Sequence, residues 1–280
     1  MSEKFSCAPL LPCWAIFQFV CIGVFALAAI APARAQQPDF KALAAQAAHA
    51  VEYAKASSVV VLDFVGPDTY VSKLGRNLAD QFSASLAAAG GQFEVVNRAK
   101  LQHVIEHNRF APEIVADPEI AAWLAGEAGA KAGIAGQLSP EPGSVRLTIN
   151  CFRVQDGTIT GSYRVSYPST AEWASWSGQN IDADQAVPPA AGSKGTPSCM
   201  VCPAPDVSHL TPGEYLHGTV TILVLVGRDG RARDFRVVQA LSHGLTLAAV
   251  QAVQKWTFNP GKGPDGKPID VRVPIEIAFR

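Results

Sequence analysis

The chain has few charged residues: Asp, Glu, Lys and Arg make up 17% of its 280 residues. Neither sign dominates, because 23 Lys and Arg stand against 24 Asp and Glu. This balance argues against a nucleic-acid-binding protein that neutralises phosphates. Six cysteines are too few for a fold built on disulfides. Apolar residues, in contrast, make up 48% of the chain, which excludes a disordered protein and allows one or two domains with their own cores.

The sequence also lacks the motifs of common nucleotide-binding and hydrolytic enzymes. It has no G-x-G-x-x-G, no G-x-S-x-G and no G-x-x-x-x-G-K-[ST], and the loop Gly263–Pro268 has neither that spacing nor a helix after it. Asp63 ends the first predicted strand, where ligands of α/β proteins often bind, but we expect a capping or solvated role for it. We therefore predict a protein that is not an enzyme and that holds no metal and no cofactor.

One long apolar run lies at the amino end. A short polar start precedes Trp14–Ala31, and Ala33-Arg34-Ala35 then leads into Gln36. This order is typical of a secretory signal that is cleaved just before Gln36. An uncleaved membrane anchor is the alternative, since about 20 apolar residues can span a bilayer. In both cases residues 1–35 predict export, and the rest of the chain is expected in the periplasm.

The pattern that follows alternates between helix and strand. The segment 36–57 is rich in alanine and free of glycine, which predicts a lead-in helix. The β-branched run Ser58–Gly66 is typical of a strand buried on both faces. Asp68 or Thr69 is expected to cap the helix that comes next. Further predicted elements are a strand at Phe93–Val96, a helix at Lys100–His107, a helix opened by Asp117-Pro118, a strand at Ala132–Leu138 and a hairpin that ends at Tyr167.

This order predicts an α/β layer domain over residues 58–167. Its segments VVVLDF, LGRNLADQFSASL, FEVVNRAKLQHVIE and GAKAGIAGQL are similar to the amino-terminal domain of TolB and to its relatives, the curli-secretion protein CsgG and the flagellar protein FlgO. Proteins of that family are not enzymes, and the resemblance implies a function through protein contacts in the envelope. Cys151 alternates with apolar residues of the hairpin, so we expect a buried thiol.

Residues 168–215 are rich in Pro, Ser, Gly, Ala and Asp, which predicts a linker. The linker contains the C-x-x-C pair Cys199 and Cys202, bracketed by prolines rather than placed at the start of a helix as in thioredoxin-like redox sites. We expect a disulfide between the two cysteines of an exported protein. Zinc held together with His209 and His217 is the alternative.

The last part of the chain, residues 216–280, predicts the order β-β-α-β. Two apolar strands at Thr219–Val226 and Ala232–Gln239 are followed by a helix from Leu245 to Trp256. Apolar and polar residues then alternate along Val271–Phe279, as in a strand with one buried face. Together with the first domain, this predicts a protein of the α+β class.

The segments HGTVTILVLVGRDGRARDFRVV, LAAVQAVQKWTFNPG and GKPIDVRVPIEIAF resemble the TonB carboxy-terminal domain. In that family the last strand receives an extended peptide of an outer-membrane receptor. The resemblance therefore implies that an outer-membrane receptor or another envelope protein adds a strand to Val271–Phe279. The implied partner-binding residues are Val271, Arg272, Val273, Ile275, Ile277 and Phe279. An ExbB/ExbD-type motor is implied as a partner only if the amino-terminal segment is a membrane anchor.

Two other functions are consistent with the sequence. In the first, the TonB-type domain makes a homodimer, and the protein is a structural or assembly factor of the envelope. In the second, His103, Glu106 and His107 form the H-x-x-E-H motif of an inverted zinc peptidase. The spacing places both histidines on one helix face, but no convincing third ligand follows.

Overall fold

The structure is a computed structural model that describes residues 38–181, 195–208 and 217–280. The predicted signal or anchor, with Ala33, Ala35 and Gln36, lies outside the described residues, as does His209. In the described ranges no helix is both long enough and apolar enough to cross a membrane. Residues 37–280 form one unit, in which the two sheets described below pack against each other.

Helices and strands alternate in the first part of the described chain and end in a meander. They are α1 Lys41–Tyr53, β1 Ser58–Val65, α2 Lys73–Ala89, β2 Glu94–Val95, α3 Arg98–His107, a 3-10 helix Pro112–Ala116, α4 Pro118–Glu127, β3 Ala132–Glu141, β4 Ser144–Arg153, β5 Ile159–Pro168 and α5 Ala171–Ser177. The strands form one sheet in the order β2-β1-β3-β4-β5. The first three are parallel, and β3, β4 and β5 are antiparallel.

The second part of the chain contains one helix and a smaller, three-stranded sheet. Its elements are β6 Ser198–Val201, β7 Gly218–Val226, β8 Ala232–Gln239, α6 Leu245–Gln254, β9 Thr257–Asn259, β10 Gly261–Lys262, β11 Pro268–Ile269 and β12 Val271–Phe279. The main sheet has the order β12-β7-β8, and β6 pairs with β9 beside it. The first sheet has two parallel and two antiparallel pairings, and β12-β7-β8 is antiparallel. Together with the helices, this confirms the predicted α+β class.

Each face of the first sheet is covered by a different set of helices. One face packs against α1 and α2, where Val59, Val61 and Phe64 are fully buried. The opposite face presents Val60 and Leu62 to α3 and α4. This two-sided burial explains the continuous apolar run of β1, as the sequence predicts.

The apolar core on the second face continues into the smaller sheet. Its buried residues come from α3 and α4 of the first domain and also from β7, β8, α6 and β12 of the second. Phe110, just after α3, packs edge-to-face on Phe235 of β8 with ring centroids 5.7 Å apart. The two domains that the sequence predicts therefore share one core instead of meeting only through a linker.

Three local expectations from the sequence are wrong in detail. The N-cap of α2 is Ser72, whose hydroxyl accepts a hydrogen bond from Gly75 N–H at 3.1 Å, and not Asp68 or Thr69. The helix can begin there because Gly75 lies against β1, where any side chain would collide with the Phe64 carbonyl. Helix α6 ends at Gln254, before Trp256. The third is the role expected of Asp63, which is buried.

Candidate functional site

The smaller sheet has two edges with different environments. Strand β7 lies in the centre, β8 forms one edge and β12 the other. Strand β12 pairs with β7 over its whole length, from Val271 opposite Val226 to Phe279 opposite Gly218, without a bulge. An edge strand presents unpaired backbone groups that an extended peptide can complete. The environment of each edge therefore decides where such a peptide can bind.

The outer edge of β8 is occupied by the first domain along part of its length. Asp234 N–H donates to the Arg109 carbonyl at 2.7 Å, and Ala111 N–H donates to the Phe235 carbonyl at 3.4 Å. Phe110 and Phe235 form a parallel bridge between these bonds. The first domain thus adds a short strand-like segment to β8, using residues that the sequence does not mark as strand.

Charged side chains reinforce the contact at β8. Arg236 reaches across to Glu113 of the 3-10 helix, with Nη1 and Oε1 3.1 Å apart, and also pairs with Asp234. Asp234 in turn pairs with Arg272 of β12. The side chains of Asp234 and Glu113 are almost fully buried, so each depends on its guanidinium partners. The network links both edges of the smaller sheet to the first domain.

The outer edge of β12 has no strand partner among the described residues. Pro274 lies in the middle of this strand and has no N–H to donate. Because pairing with β7 is uninterrupted, Pro274 must direct its nitrogen to the open side. Alternate residues of an antiparallel strand direct their backbone groups to the same side, so the N–H groups of Arg272, Glu276 and Ala278 also face outward.

The structure places the side chains of the predicted partner-binding residues mainly in the core. Val271, Ile275 and Ile277 are 5%, 8% and 7% exposed, and Val273 and Phe279 are half-buried. The Arg272 side chain is 11% exposed and pairs with Asp234. A peptide would therefore meet most of these residues through the backbone of β12.

The exposed side chains of β12 belong to Pro274, Glu276 and Ala278, which are not among the predicted partner-binding residues. The signal that could have found them is the proline itself. A proline inside a strand indicates an open edge, and residues at even spacing from it share its orientation. Glu276 adds a negative charge to this exposed face.

Helix α4 also contacts the start of α6. The Glu119 carboxylate accepts a hydrogen bond from Gly244 N–H at 3.0 Å, at the N-terminus of α6. Burial raises the pKa of Glu119, and the nearby Asp117 carboxylate raises it further, while backbone hydrogen bonds from Gly244 and His243 and the charge of His243 act in the opposite direction. Burial likewise raises the pKa of Asp117, which caps α4.

The raised pKa of Glu119 predicts that the free energy of unfolding depends on pH. Because the folded pKa of Glu119 lies above the unfolded value of 4.5, its contribution is fully present below that pH and is lost as pH rises through the folded value. We expect Glu119→Gln, which keeps an acceptor for Gly244, to gain stability relative to the wild type as pH increases. Urea unfolding between pH 4 and pH 8 measures the difference. Glu127→Gln removes a carboxylate from the exposed side of the same helix and is the control. If the unfolding free energies of Glu119→Gln and the wild type differ by the same amount at every pH, the expectation is wrong.

Asp63 is neither solvated nor the cap of a helix in the described part of the chain, contrary to the expectation from the sequence. Its carboxylate is 1% exposed and accepts hydrogen bonds from Arg98, from Arg76 at 3.1 Å and from Gln102 at 3.1 Å. Arg98, itself 8% exposed, also donates to the Val61 carbonyl and to Asp80, each at 2.6 Å. These contacts tie β1 to α2 and α3, so the cluster has a structural role in the first domain.

The three residues of the H-x-x-E-H motif lie on α3. His103 and His107 are exposed, and their ring centroids are 6.0 Å apart. Glu106 is exposed between them, whereas Leu101 and Ile105 face the core. In the part of the chain that the structure describes, no three His, Cys, Asp or Glu side chains form a group that could hold a metal.

The cysteines occupy two different environments. Cys199 and Cys202 form a disulfide, with their Cα atoms 6.1 Å apart, so neither is a free thiolate for zinc. Cys151 is a fully buried free thiol, which confirms its predicted state. Burial raises the pKa of the Cys151 thiol to about 12. The linker that the sequence predicts at 168–215 contains both α5 and β6.

Comparison with known proteins agrees with the carboxy-terminal motifs. Residues 214–280 match the family described as Gram-negative bacterial TonB protein C-terminal, which confirms the resemblance found in the sequence. Among curated proteins none matches the chain.

Solved structures give matches at low identity. The C-terminal domain of LpoB from Salmonella enterica is 18% identical and covers 47% of this chain and 100% of its own, with a TM-score of 0.36. A lipoprotein from Neisseria meningitidis is 17% identical and covers 41% of this chain and 83% of its own, with a TM-score of 0.33. The TonB C-terminal domain from Pseudomonas aeruginosa is 22% identical and covers 31% of this chain and 88% of its own, with a TM-score of 0.26.

Proposed function

We propose that this chain is an exported envelope protein that binds an extended segment of a partner protein in the periplasm by strand addition to β12. The observation that carries the proposal is the asymmetry of the smaller sheet. The first domain already occupies part of the β8 edge, while the β12 edge has no strand partner in the described ranges. The match of residues 214–280 to the TonB carboxy-terminal family supports a role in protein binding.

The chemistry of the edge specifies the kind of peptide it would bind. Backbone groups supply most of the hydrogen bonds, so the peptide must be extended rather than helical. On the core side of the sheet, an added strand would pass the half-buried Val273 and Phe279, which favours apolar residues there. On the outer side it would pass Glu276, which favours Lys or Arg at the opposing position. An outer-membrane receptor or another envelope protein is the proposed source of this peptide.

Two substitutions test strand addition in opposite directions. Ala278→Pro removes an outward N–H without removing a bond to β7, and Pro274→Ala adds an outward N–H at the centre of the edge. Since one hydrogen bond contributes about 0.5–1.5 kcal/mol, we expect roughly three- to tenfold weaker binding for the first variant and stronger binding for the second. The probe is a seven-residue peptide selected from a random library on the wild-type protein, and affinity is measured by fluorescence anisotropy.

The control is Ala278→Val, which adds similar bulk but keeps the N–H. Hydrogen exchange on the bound complex provides an independent measurement, because strand addition should protect the N–H groups of Glu276 and Ala278. If both proline variants bind like the wild type, the peptide does not use this edge. If instead sedimentation shows a dimer that Ala278→Pro dissociates, a second copy occupies β12 and the assembly function is favoured.

A motor-coupled role is a separate proposal that depends on the amino-terminal segment. If that segment stays uncleaved as an anchor, an ExbB/ExbD-type motor is the implied partner and the protein acts in transport across the envelope. If cleavage occurs before Gln36, a soluble adaptor remains. Amino-terminal sequencing of the protein from periplasmic and membrane fractions distinguishes these outcomes.

A further inference from the structure

The disulfide segment, residues 198–203, contains the short strand β6, which forms a two-stranded sheet with β9. Strand β6 pairs with β9, with Ser198 opposite Asn259 and Val201 opposite Thr257, and the register shifts between Cys199 and Val201. Three of the four residues of the ring closed by the disulfide, 199–201, therefore belong to the strand that makes this pairing, and Cys202 follows it. The only covalent effect of the ring is local, because the two cysteines are three residues apart in the sequence.

Contacts outside the ring hold the segment in place. Trp256 Nε1 donates to the Pro203 carbonyl at 2.8 Å, directly after Cys202. Asn259 Nδ2 donates to Ser198 Oγ at 3.2 Å, directly before Cys199. Since these bonds do not pass through sulfur, the segment keeps anchoring contacts when the disulfide opens. Closing so short a loop also constrains the unfolded chain little, which argues against a mainly stabilising role.

The strand part of the segment is also exposed. All four residues of β6 are exposed, with Met200 at 60% and Val201 at 57%, while Cys202 is half-buried. An attacking thiolate needs access to one sulfur, and exposed disulfides are the labile ones. The two apolar side chains between the cysteines add a contact surface for a protein that approaches the sulfur of Cys199.

We propose that Cys199–Cys202 is a thiol–disulfide exchange site whose substrate is a dithiol protein. One thiolate of the dithiol attacks Cys199 Sγ, the S–S bond breaks and the Cys202 thiolate leaves and is protonated. The second thiolate of the dithiol then attacks its own sulfur in the mixed disulfide and releases the Cys199 thiolate, which also takes up a proton. Two electrons and two protons pass to this chain, and the dithiol becomes a disulfide. The inference does not depend on strand addition to β12.

Reduction of the folded protein tests the site. We expect dithiothreitol to reduce the native disulfide at a rate within about tenfold of the rate for the urea-unfolded chain, because Cys199 is already exposed in the folded protein. Alkylation followed by mass spectrometry should label Cys199 and Cys202 and leave the buried Cys151 unlabelled, as an internal measure that the fold is intact. Reduction that requires unfolding, seen as simultaneous labelling of all three cysteines, would overturn the proposal.

Single-cysteine variants test which sulfur is attacked. Cys202→Ser leaves the exposed Cys199 and Cys199→Ser leaves the half-buried Cys202, so the two variants are matched. Each remaining cysteine is first converted to its mixed disulfide with glutathione, and the rate of its reduction by dithiothreitol is measured. We expect the mixed disulfide at Cys199 to be reduced at least several-fold faster than the one at Cys202. Equal rates, or a faster reaction of Cys202, would overturn the assignment of Cys199 as the attacked residue.

The last measurement tests for a protein substrate. With thioredoxin as the probe, Met200→Asp should slow reduction several-fold by placing a charge on the contact surface, while its rate with dithiothreitol should stay unchanged. Met200→Leu keeps an apolar side chain and is the control. If Met200→Asp leaves the thioredoxin rate unchanged, or slows both reagents equally, Met200 is not part of a docking surface for a dithiol protein.

Discussion

Phe235→Ala is expected to lower the free energy of unfolding by about 3–5 kcal/mol, the usual cost of removing a buried aromatic ring. Phe235 is fully buried and packs on Phe110 of the first domain. Because the core is continuous between the two sheets, we expect one cooperative transition, in which the first sheet is destabilised together with the second. Denaturant unfolding, followed by near-UV circular dichroism, measures the change.

A substitution on the same strand supplies the control. Val238→Ala changes a side chain that is 65% exposed, and its effect should stay within about 0.5 kcal/mol. Hydrogen exchange in β1 distinguishes a shared core from two independent ones. Faster exchange of the β1 amides in Phe235→Ala is the expected result, whereas two separate transitions with β1 unaffected would show that the sheets are stabilised independently.

Asp63→Ala is expected to cost about 3–5 kcal/mol, because it leaves the buried guanidinium of Arg98 without its fully buried partner. Asp80, the other carboxylate bound to Arg98, is 59% exposed in its side chain, so Asp80→Ala should cost less than about 1 kcal/mol. Urea unfolding of both variants under the same conditions gives the comparison. Equal effects of the two substitutions would show that the buried pair is not what holds β1 to α3.

The double variant Asp63→Leu with Arg98→Met tests the reason for the loss. If the cost comes from an uncompensated buried charge, removing both charges should recover much of the stability. A double variant that is as unstable as Asp63→Ala would instead indicate that the hydrogen bonds from Arg98 to the Val61 carbonyl and to Asp80 carry the effect.

The strands of the carboxy-terminal domain could be predicted well from the sequence, because each one shows a clear local pattern of apolar and polar residues. Strand β8 begins and ends as predicted, and β12 shows the predicted alternation of buried and exposed residues. Hydrophobic periodicity determines these elements locally. The start of α2 was less predictable, because Asp68, Thr69 and Ser72 can each cap a helix. Only Ser72 accepts a hydrogen bond from the first turn, at Gly75 N–H.

Only the strand that contains the candidate site could be predicted from the sequence. The family resemblance pointed to strand addition at Val271–Phe279, and the residues it named include Ile275 and Ile277, whose side chains are buried. Which backbone groups face outward depends on the pairing with β7, and Pro274 was the one local sign of it. The role of Asp63 was missed because its partners Arg76 and Arg98 are distant in sequence.

By itself the sequence determined most of the long helices and strands, the fold class and the family of the carboxy-terminal domain, since these follow from local periodicity and short motifs. Tertiary structure alone decided that the two domains share a core and that residues 109–111 cover part of one sheet edge. It also decided that the opposite edge has no strand partner in the ranges that the structure describes. These properties depend on contacts between residues more than 100 positions apart, such as Glu113 with Arg236. Such contacts form only when the whole chain packs, and no local pattern encodes them.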